Sequence, residues 1–199
     1  MSLELVTAPA VEPLSLVEAR DHIRASECTD GIEDAAIEGL IAAAREVLDG
    51  RDGYLGRQMI TATWDLFLDE FPVVDFIRLP LPPIQSITSI SYVDVDGNTQ
   101  TFDASNYALS ADKTWRPRVD LAYNSSWPGT RDIRDAVTIR FVAGYGLQAA
   151  VPAPLRQAML LLIGNWYENR EHTVIGTIVS ELPMGVNALL SPYRVIELS

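Results

Sequence analysis

Residues 152–171 read PAPLRQAMLLLIGNWYENRE, and residues 181–199 read ELPMGVNALLSPYRVIELS. The first stretch is a long helix pattern. Pro152 and Pro154 suit its start, where a missing N–H has no helical partner to lose. On a helical wheel Leu155, Met159, Leu162 and Trp166 share one stripe, and Leu160, Ile163 and Tyr167 form a second beside it. Together they cover roughly 200° of the helix surface, against the ~100° stripe of an ordinary surface helix. A helix of this kind packs on two sides. It is either central to one core or shared between its own bundle and a neighbouring subunit. The second stretch reads as a short amphipathic element, Val186–Leu190, ended by Pro192 and followed by an extended tail, because the residue before proline disfavours the α region. In that tail Tyr193-Arg194-Val195-Ile196-Glu197-Leu198 has strong β propensity and nothing after it to complete a hairpin. A strand of this sort can add to the sheet edge of a partner.

Working towards the N-terminus, the pattern predicts two more helices. Ser15 and Glu18 have capping-box spacing with Leu14 placed as a staple, so a first helix runs from there to about Ala25, before the polar ASECTDG break. A second is expected from near Asp30, with Glu33 at the reciprocal capping position. Its positions Ile37, Leu40, Ile41, Ala44 and Leu48 follow the spacing of one buried face, and Gly50, Gly53 and Gly56 close it. Neither helix is long enough to be stable alone, so their faces are expected to meet each other and the helix at 154–170.

Between these helices the period changes from that of a helix to that of a strand. Ile60, Ala62, Trp64, Leu66 and Leu68 alternate with Thr61, Thr63, Asp65, Phe67 and Asp69, as in a strand with one buried face. Phe76–Leu79 and Ile84–Val95 read as further strands separated by Pro80, Pro82 and Pro83. Asp96-Gly97 signals a hairpin turn into Thr99–Phe102. Tyr107–Leu109, Arg118–Tyr123 and Ala136–Val142 follow, the last with Val137, Ile139 and Phe141 on one face. A contiguous β block between helices implies an α+β fold, not alternating βαβ units. The expected organisation is an N-terminal arm (1–13), a helical domain (14–56 and 152–190) with antiparallel packing, an inserted antiparallel β-rich domain (57–151) and a C-terminal tail (191–199).

Composition narrows the function classes. The 199 residues are 48% hydrophobic, enough for a sizeable core. Lys and Arg number 15 against 27 Asp and Glu, a formal net charge of −12, and Lys113 is the one lysine. This balance argues against tight wrapping of nucleic acid, which needs clustered cations on phosphates. Arg116-Pro117-Arg118 and the Arg131/Arg134 pair are too sparse for such a footprint. The Leu160–Ile163 run is too short to span a bilayer, and MSLELVTAPAVEP lacks the basic region and hydrophobic stretch of a signal peptide. Cys28 is alone, which excludes an internal disulfide framework and fits synthesis in a reducing compartment.

Candidate chemistry is thin. Asp94-Val95-Asp96-Gly97-Asn98 hints at a calcium loop, but its glycine is fourth and its twelfth position is Ser105, where an EF-hand wants glycine sixth and Glu twelfth. A plain turn accounts for it better. His22 and His172 are far apart, without the spacing of a zinc site, so no metal is expected. No G-x-S-x-G is present, and Cys28 sits in a polar turn. Ala143-Gly144-Tyr145-Gly146 lacks the third glycine of a phosphate loop and reads as a tight exit from a strand. No cofactor or catalytic residue is assigned. Trp115, Tyr123, Trp127 and Tyr145 lie in or beside loops of the β block, where they suit core edges, subunit contacts or the ligand face of a glycan-binding module. A hydrolase using some pair of the many carboxylates is a third reading.

Several segments, in order and spacing, resemble one family: PLSLVEARDHIR, ITATWDLFLDEFP, LPLPPIQSITSISYVD, TIRFVAGYG, AVPAPLRQAMLLLIGNWYENRE and ELPMGVNALLSPYR. The chain is similar to the head–tail connector (adaptor or head-completion) proteins of long-tailed phages, in the β-insertion form found in prophages and gene transfer agents. The resemblance implies a structural virion protein, made in the bacterial cytoplasm and placed at the head–tail junction. It implies a ring of about twelve copies closed by a head-to-tail interface, beneath the portal protein, extending the DNA channel and offering a platform to the next tail-side (stopper) component. DNA would pass without tight binding, and no membrane is involved. The portal-binding tail would be Pro192, Tyr193, Arg194, Val195, Ile196, Glu197 and Leu198. The helix shared between core and ring would be the one carrying Leu155, Met159, Leu160, Leu162, Ile163, Trp166 and Tyr167. The β insertion is absent from minimal all-helical members, so its role does not carry over. The reading from another class is a glycan-binding β module on a helical base.

Overall fold

A computed structural model describes residues 1–24, 33–169 and 183–195. They belong to two compact units, Met1–Ala10 with Ile60–Tyr145 and Val11–Met59 with Gly146–Ser199.

The first unit is all β. Its strands are β1 (Ser2–Thr7), β2 (Ala62–Leu68), β3 (Phe76–Arg78), β4 (Ile84–Val93), β5 (Thr99–Phe102), β6 (Tyr107–Leu109), β7 (Arg118–Leu121) and β8 (Val137–Ala143). A five-stranded sheet runs in the order β1-β2-β8-β4-β5 and a three-stranded sheet in the order β3-β7-β6. Every pairing is antiparallel. β8 is central because its period-2 pattern is strict: Val137, Ile139, Phe141 and Ala143 are all fully buried. Opposite them in register stand Leu66 of β2 and Ile90 of β4, both paired with Ile139. Ile77 of β3 and Val119 of β7 join the same apolar cluster, so the smaller sheet covers the core face of the larger one.

Two glycines carry conformations that other residues avoid. Gly97 (φ +91) closes the β4–β5 hairpin, where its N–H bonds the Asp94 carbonyl at 2.9 Å. Gly144 (φ +116) ends β8, and a Cβ there would lie 2.6 Å from the backbone of Ile60. The tight strand exit expected at Gly144 is therefore a close approach of two backbones.

The N-terminal segment differs from expectation. Ser2–Thr7 is not part of an arm but edge strand β1, with Ser2 opposite Phe67 and Leu5 opposite Trp64. Most of its side chains are exposed and its register shifts between Leu5 and Thr7, so the strand has no clean alternation to betray it.

The second unit is helical: α1 (Leu16–His22), α2 (Asp34–Leu48), α3 (Ala153–Glu168) and α4 (Met184–Leu190). The expected capping box is present. Glu18 N–H donates to Ser15 Oγ at 3.2 Å and Ser15 N–H to Glu18 Oε2 at 3.1 Å, with Leu14 1% exposed beneath. α1 stops at His22, and the Ala25 end expected for it lies outside the described residues. So does the Asp30 start expected for α2, whose first described helical residue is Asp34. Glu33, expected at the reciprocal capping position, is instead the N-cap residue itself and makes no side-chain cap bond. Ile37, Ile41, Ala44 and Leu48 form its buried face, and Leu40 is half-buried. α3 packs against α2 and α4, and α1 lies against α2 and α3. Ion pairs Arg156–Glu18 and Arg20–Asp34 tie α1 to its neighbours at the half-exposed rim, where such pairs contribute little.

Candidate functional site

The buried face of α3 is one broad arc. Leu155, Ala158, Met159, Leu162 and Ile163 are buried, spanning roughly 140° at 100° per residue. Ile163, expected on the second stripe, belongs to this core. The small Ala158, absent from the expected set, lets a neighbouring helix approach. Leu160, Trp166 and Tyr167 are half-buried, and Leu161 is 36% exposed. Tyr167 donates from its hydroxyl to Glu33 Oε2 at 2.5 Å, beside the start of α2. The helix thus keeps a partly open flank next to a fully buried one.

The second candidate site is the C-terminal segment. α4 ends at Leu190 as expected, but Ser191, the residue before Pro192, stays in the α region (φ −53, ψ −39), and Ser191–Tyr193 form one 3-10 turn before Arg194 turns extended. As far as Val195 the segment is not a free strand, contrary to expectation. It lies on the loop between α2 and Met59. Val195 N–H bonds Leu55 O at 2.9 Å, and the Arg194 guanidinium stands 4.7 Å over the Tyr54 ring. Arg57 Nε donates to Tyr193 O. Tyr54 in turn donates from its hydroxyl to Asn187 Oδ1 of α4 at 2.6 Å. Ile196, Glu197 and Leu198 lie outside the described residues.

The cradle has its own internal support. Arg57 is 0% exposed, and its carbonyl accepts Gly50 N–H at 2.6 Å. Gly50 (φ +80) and Gly56 (φ +60) bend the loop, and a Cβ on Gly56 would stand 3.4 Å from Val195 O. Asp49 closes the base. It is 8% exposed, and its carboxyl accepts Met59 N–H at 2.7 Å and Gln58 Nε2 at 3.1 Å. Burial pushes Asp49 from the ordinary 3.8 up to about 7, against the opposing pull of the Met59 and Gly50 N–H groups and the Arg45 charge. Sequence reading missed both Asp49 and Arg57. The available signal was a charge at each end of a glycine-punctuated loop, with Leu48 before it and Met59-Ile60 after.

In the β unit the polar candidates resolve into structural roles. Asp94 Oδ1 accepts Asp96 N–H and Asn98 N–H at 3.1 and 2.8 Å, and Oδ2 accepts Gln100 Nε2 at 2.8 Å. The Gln100 and Asn98 bonds hold its carboxyl below the usual aspartate range. The supposed calcium loop is thus a hairpin turn whose acid is already occupied by its own chain. Asp65, 6% exposed, meets Arg140 directly across the β2–β8 ladder, at 2.8 and 2.7 Å in a two-pronged pair. Among the described residues no group of three or more His, Cys, Asp and Glu could hold a metal ion.

The loop aromatics do not gather into a ligand face. Trp127 stacks on Phe71 with centroids 4.9 Å apart and donates from Nε1 to Val74 O at 2.9 Å, which makes it a core edge. Trp115 and Tyr123 lie at opposite ends of the strands. Trp115 sits by the start of β4, where Ile84 N–H bonds Lys113 O, and Tyr123 sits beyond the end of β7. No helix among the described residues is long and apolar enough to cross a membrane.

The described residues thus form a helical unit that anchors its own terminal segment and a β unit whose charged groups serve its turns and ladders. The model of a family described as phage gp6-like head–tail connector protein matches residues 130–194, which span β8, α3 and α4. Three solved structures resemble the chain over 100% of its length and 98% of theirs. One is described as the neck of an empty GTA particle computed with C6 symmetry (30% identity, TM-score 0.79). The others are the virion of a native gene transfer agent particle (29%, 0.75) and the neck of a native GTA particle computed with C12 symmetry (27%, 0.71). No curated protein sequence matches. The chain belongs to the phage head–tail connector family. It is a structural head–tail adaptor, not an enzyme, and its place is the head–tail junction.

Proposed function

We propose that copies of this chain close into a ring beneath the portal, extend the DNA channel and present a platform to the next tail-side protein. The observation that carries this reading is the likeness, along the whole chain, to necks solved with sixfold and twelvefold symmetry. A closed ring needs two different surfaces per copy. The half-buried flank of α3, with Leu160 and Tyr167, is one candidate.

The portal contact falls to the C-terminal segment. Its root, Pro192–Val195, is held by Arg57, Tyr54 and Leu55, which fixes where the following residues emerge. Ile196, Glu197 and Leu198 are then the residues that reach the portal, by adding a short strand or filling apolar pockets. Rooting the segment lowers the ordering cost of docking.

Deleting residues 196–199 leaves the root intact and isolates recognition from folding. The truncated chain is expected to be soluble, to keep its helical circular dichroism, and to fail to co-sediment with portal-bearing heads. Normal co-sedimentation by that protein would remove the tail from the portal contact. Mass measurement and negative-stain imaging, with and without portal, test the ring itself.

A further inference from the structure

The end of the β unit at which β2 and β4 finish and β8 begins carries an unusual set of exposed apolar side chains. Val73 is 104% exposed, Tyr123 94%, Val95 68%, Val74 50% and Ile133 42%. Topology brings them to one end. Leu68 pairs with Val137 and Val93 with Thr99, so the β2–β3 loop, the β4–β5 turn and the β7–β8 loop all emerge there. Leu121 N–H bonds Asp75 O at 2.9 Å, which carries the β3–β7 ladder outward towards Val74, Val73 and Tyr123.

These loops are pinned by groups other than the exposed side chains. Trp127 Nε1 holds Val74 O at 2.9 Å, Asp135 N–H holds Asp69 Oδ1 at 2.9 Å, and Arg131 N–H holds Val93 O at 3.0 Å. Folding therefore does not account for Val73 or Tyr123. Rigid loops presenting a tyrosine and β-branched residues to water match the composition of a protein contact, where tyrosine is enriched and preorganisation lowers the cost of binding. Exposed apolar groups gathered in one region of a monomer usually mark such a contact.

Charge selects the partner. The same loops expose the carboxylates Asp69, Glu70, Asp75, Asp96, Asp132 and Asp135, against the cations Arg131 and Arg134. A second copy meeting it tip to tip would bring the same acidic rim, and like charges facing each other disfavour that contact. We infer that this end of the β insertion docks a different protein of the particle, the tail-side neighbour, through an apolar surface ringed by Lys or Arg. This rests on the adaptor reading, in which the C-terminal segment of the helical unit is committed to the portal.

The test uses portal-bearing heads loaded with the full-length protein and tails purified from the same producer, with joined particles counted by negative stain. Val73→Ser with Tyr123→Ser, and separately Asp96→Lys with Asp132→Lys, alter exposed side chains, and circular dichroism checks that each variant is folded. Both variants are expected to stay on heads and to lower the joined fraction at least tenfold, and wild-type joining should weaken as salt rises. Normal joining by either variant would overturn the inference. Loss of a variant from the heads would also overturn it, by turning the tip towards the head. A change in the oligomeric mass of the isolated protein would do so by making the occupant another copy. Failure of the tail truncation to disturb head binding would instead strike the portal assignment alone.

Discussion

Asp49→Asn changes one buried atom pair and is expected to alter how stability depends on pH. Burial raises the folded pKa of Asp49 from 3.8 to about 7. Between those values the folded chain holds a proton that the unfolded chain has released, so stability falls as pH rises through the window. The stabilising contribution of the protonated form is complete below about pH 4 and gone above about pH 7. At 1.36 kcal/mol per unit, the difference between the plateaus is about 4 kcal/mol. Asparagine keeps the acceptor for Met59 N–H, which lies 2.7 Å from Oδ1. It places an NH2 opposite Gln58 Nε2, which stands 3.1 Å from Oδ2, so the Gln58 amide must turn over or lose a bond worth about 1 kcal/mol. The net expectation at pH 8 is a variant more stable than wild type by about 3 kcal/mol, shrinking to parity or below near pH 4. Urea unfolding followed at 222 nm reports on this site, because α1 to α4 all lie in the helical unit with Asp49. Other carboxylates titrate in both proteins, so the quantity to read is wild type minus variant. A difference that stays flat from pH 4 to pH 8 would refute the reasoning.

Three other outcomes follow from the geometry. Leu162→Ala, at a site 2% exposed on α3, should cost ~2–5 kcal/mol in urea unfolding, as expected for a buried leucine leaving a cavity. Leu160→Ser with Tyr167→Ser should leave a folded monomer, because both positions are half-buried, and should weaken ring formation in mass measurements; unchanged rings would take this flank out of the interface. Isolated protein should show negligible duplex DNA binding at physiological salt, since a net charge of −12 repels the phosphate backbone, and micromolar affinity would revive a nucleic-acid role.

The elements that were legible in advance are those whose information is local. The α2 face at Ile37, Ile41, Ala44 and Leu48, the strict alternation of β8 and the Ser15–Glu18 capping box each repeat a pattern within a few residues, and a helix or strand converts that spacing directly into a face or a cap. The Asp94–Gly97 turn belongs with them, because its acceptor, its donors and its positive-φ glycine are neighbours in the chain. β1 stayed hidden because an exposed edge strand needs no alternating pattern; its pairing with β2, some sixty residues away, is what makes it a strand.

The candidate sites divide along the same line. The apolar load of α3 could be read from the sequence, but which flank stays open depends on where α2 and α4 press against it. Ile163 went into the core for that reason. The β propensity of the C-terminal segment was plain, while its anchoring was not. Arg57 and Tyr193 are separated by 136 positions, and Asp65 and Arg140 by 75. A side chain's period says which way it faces, and says nothing about which distant backbone will arrive in front of it. Sequence alone therefore determined the α+β class, the helices, most of the strands and the membership of a connector family. Tertiary structure decided which charges are buried, which segment is held and which apolar side chains are left facing water, because those follow from contacts that exist only once the chain has closed on itself.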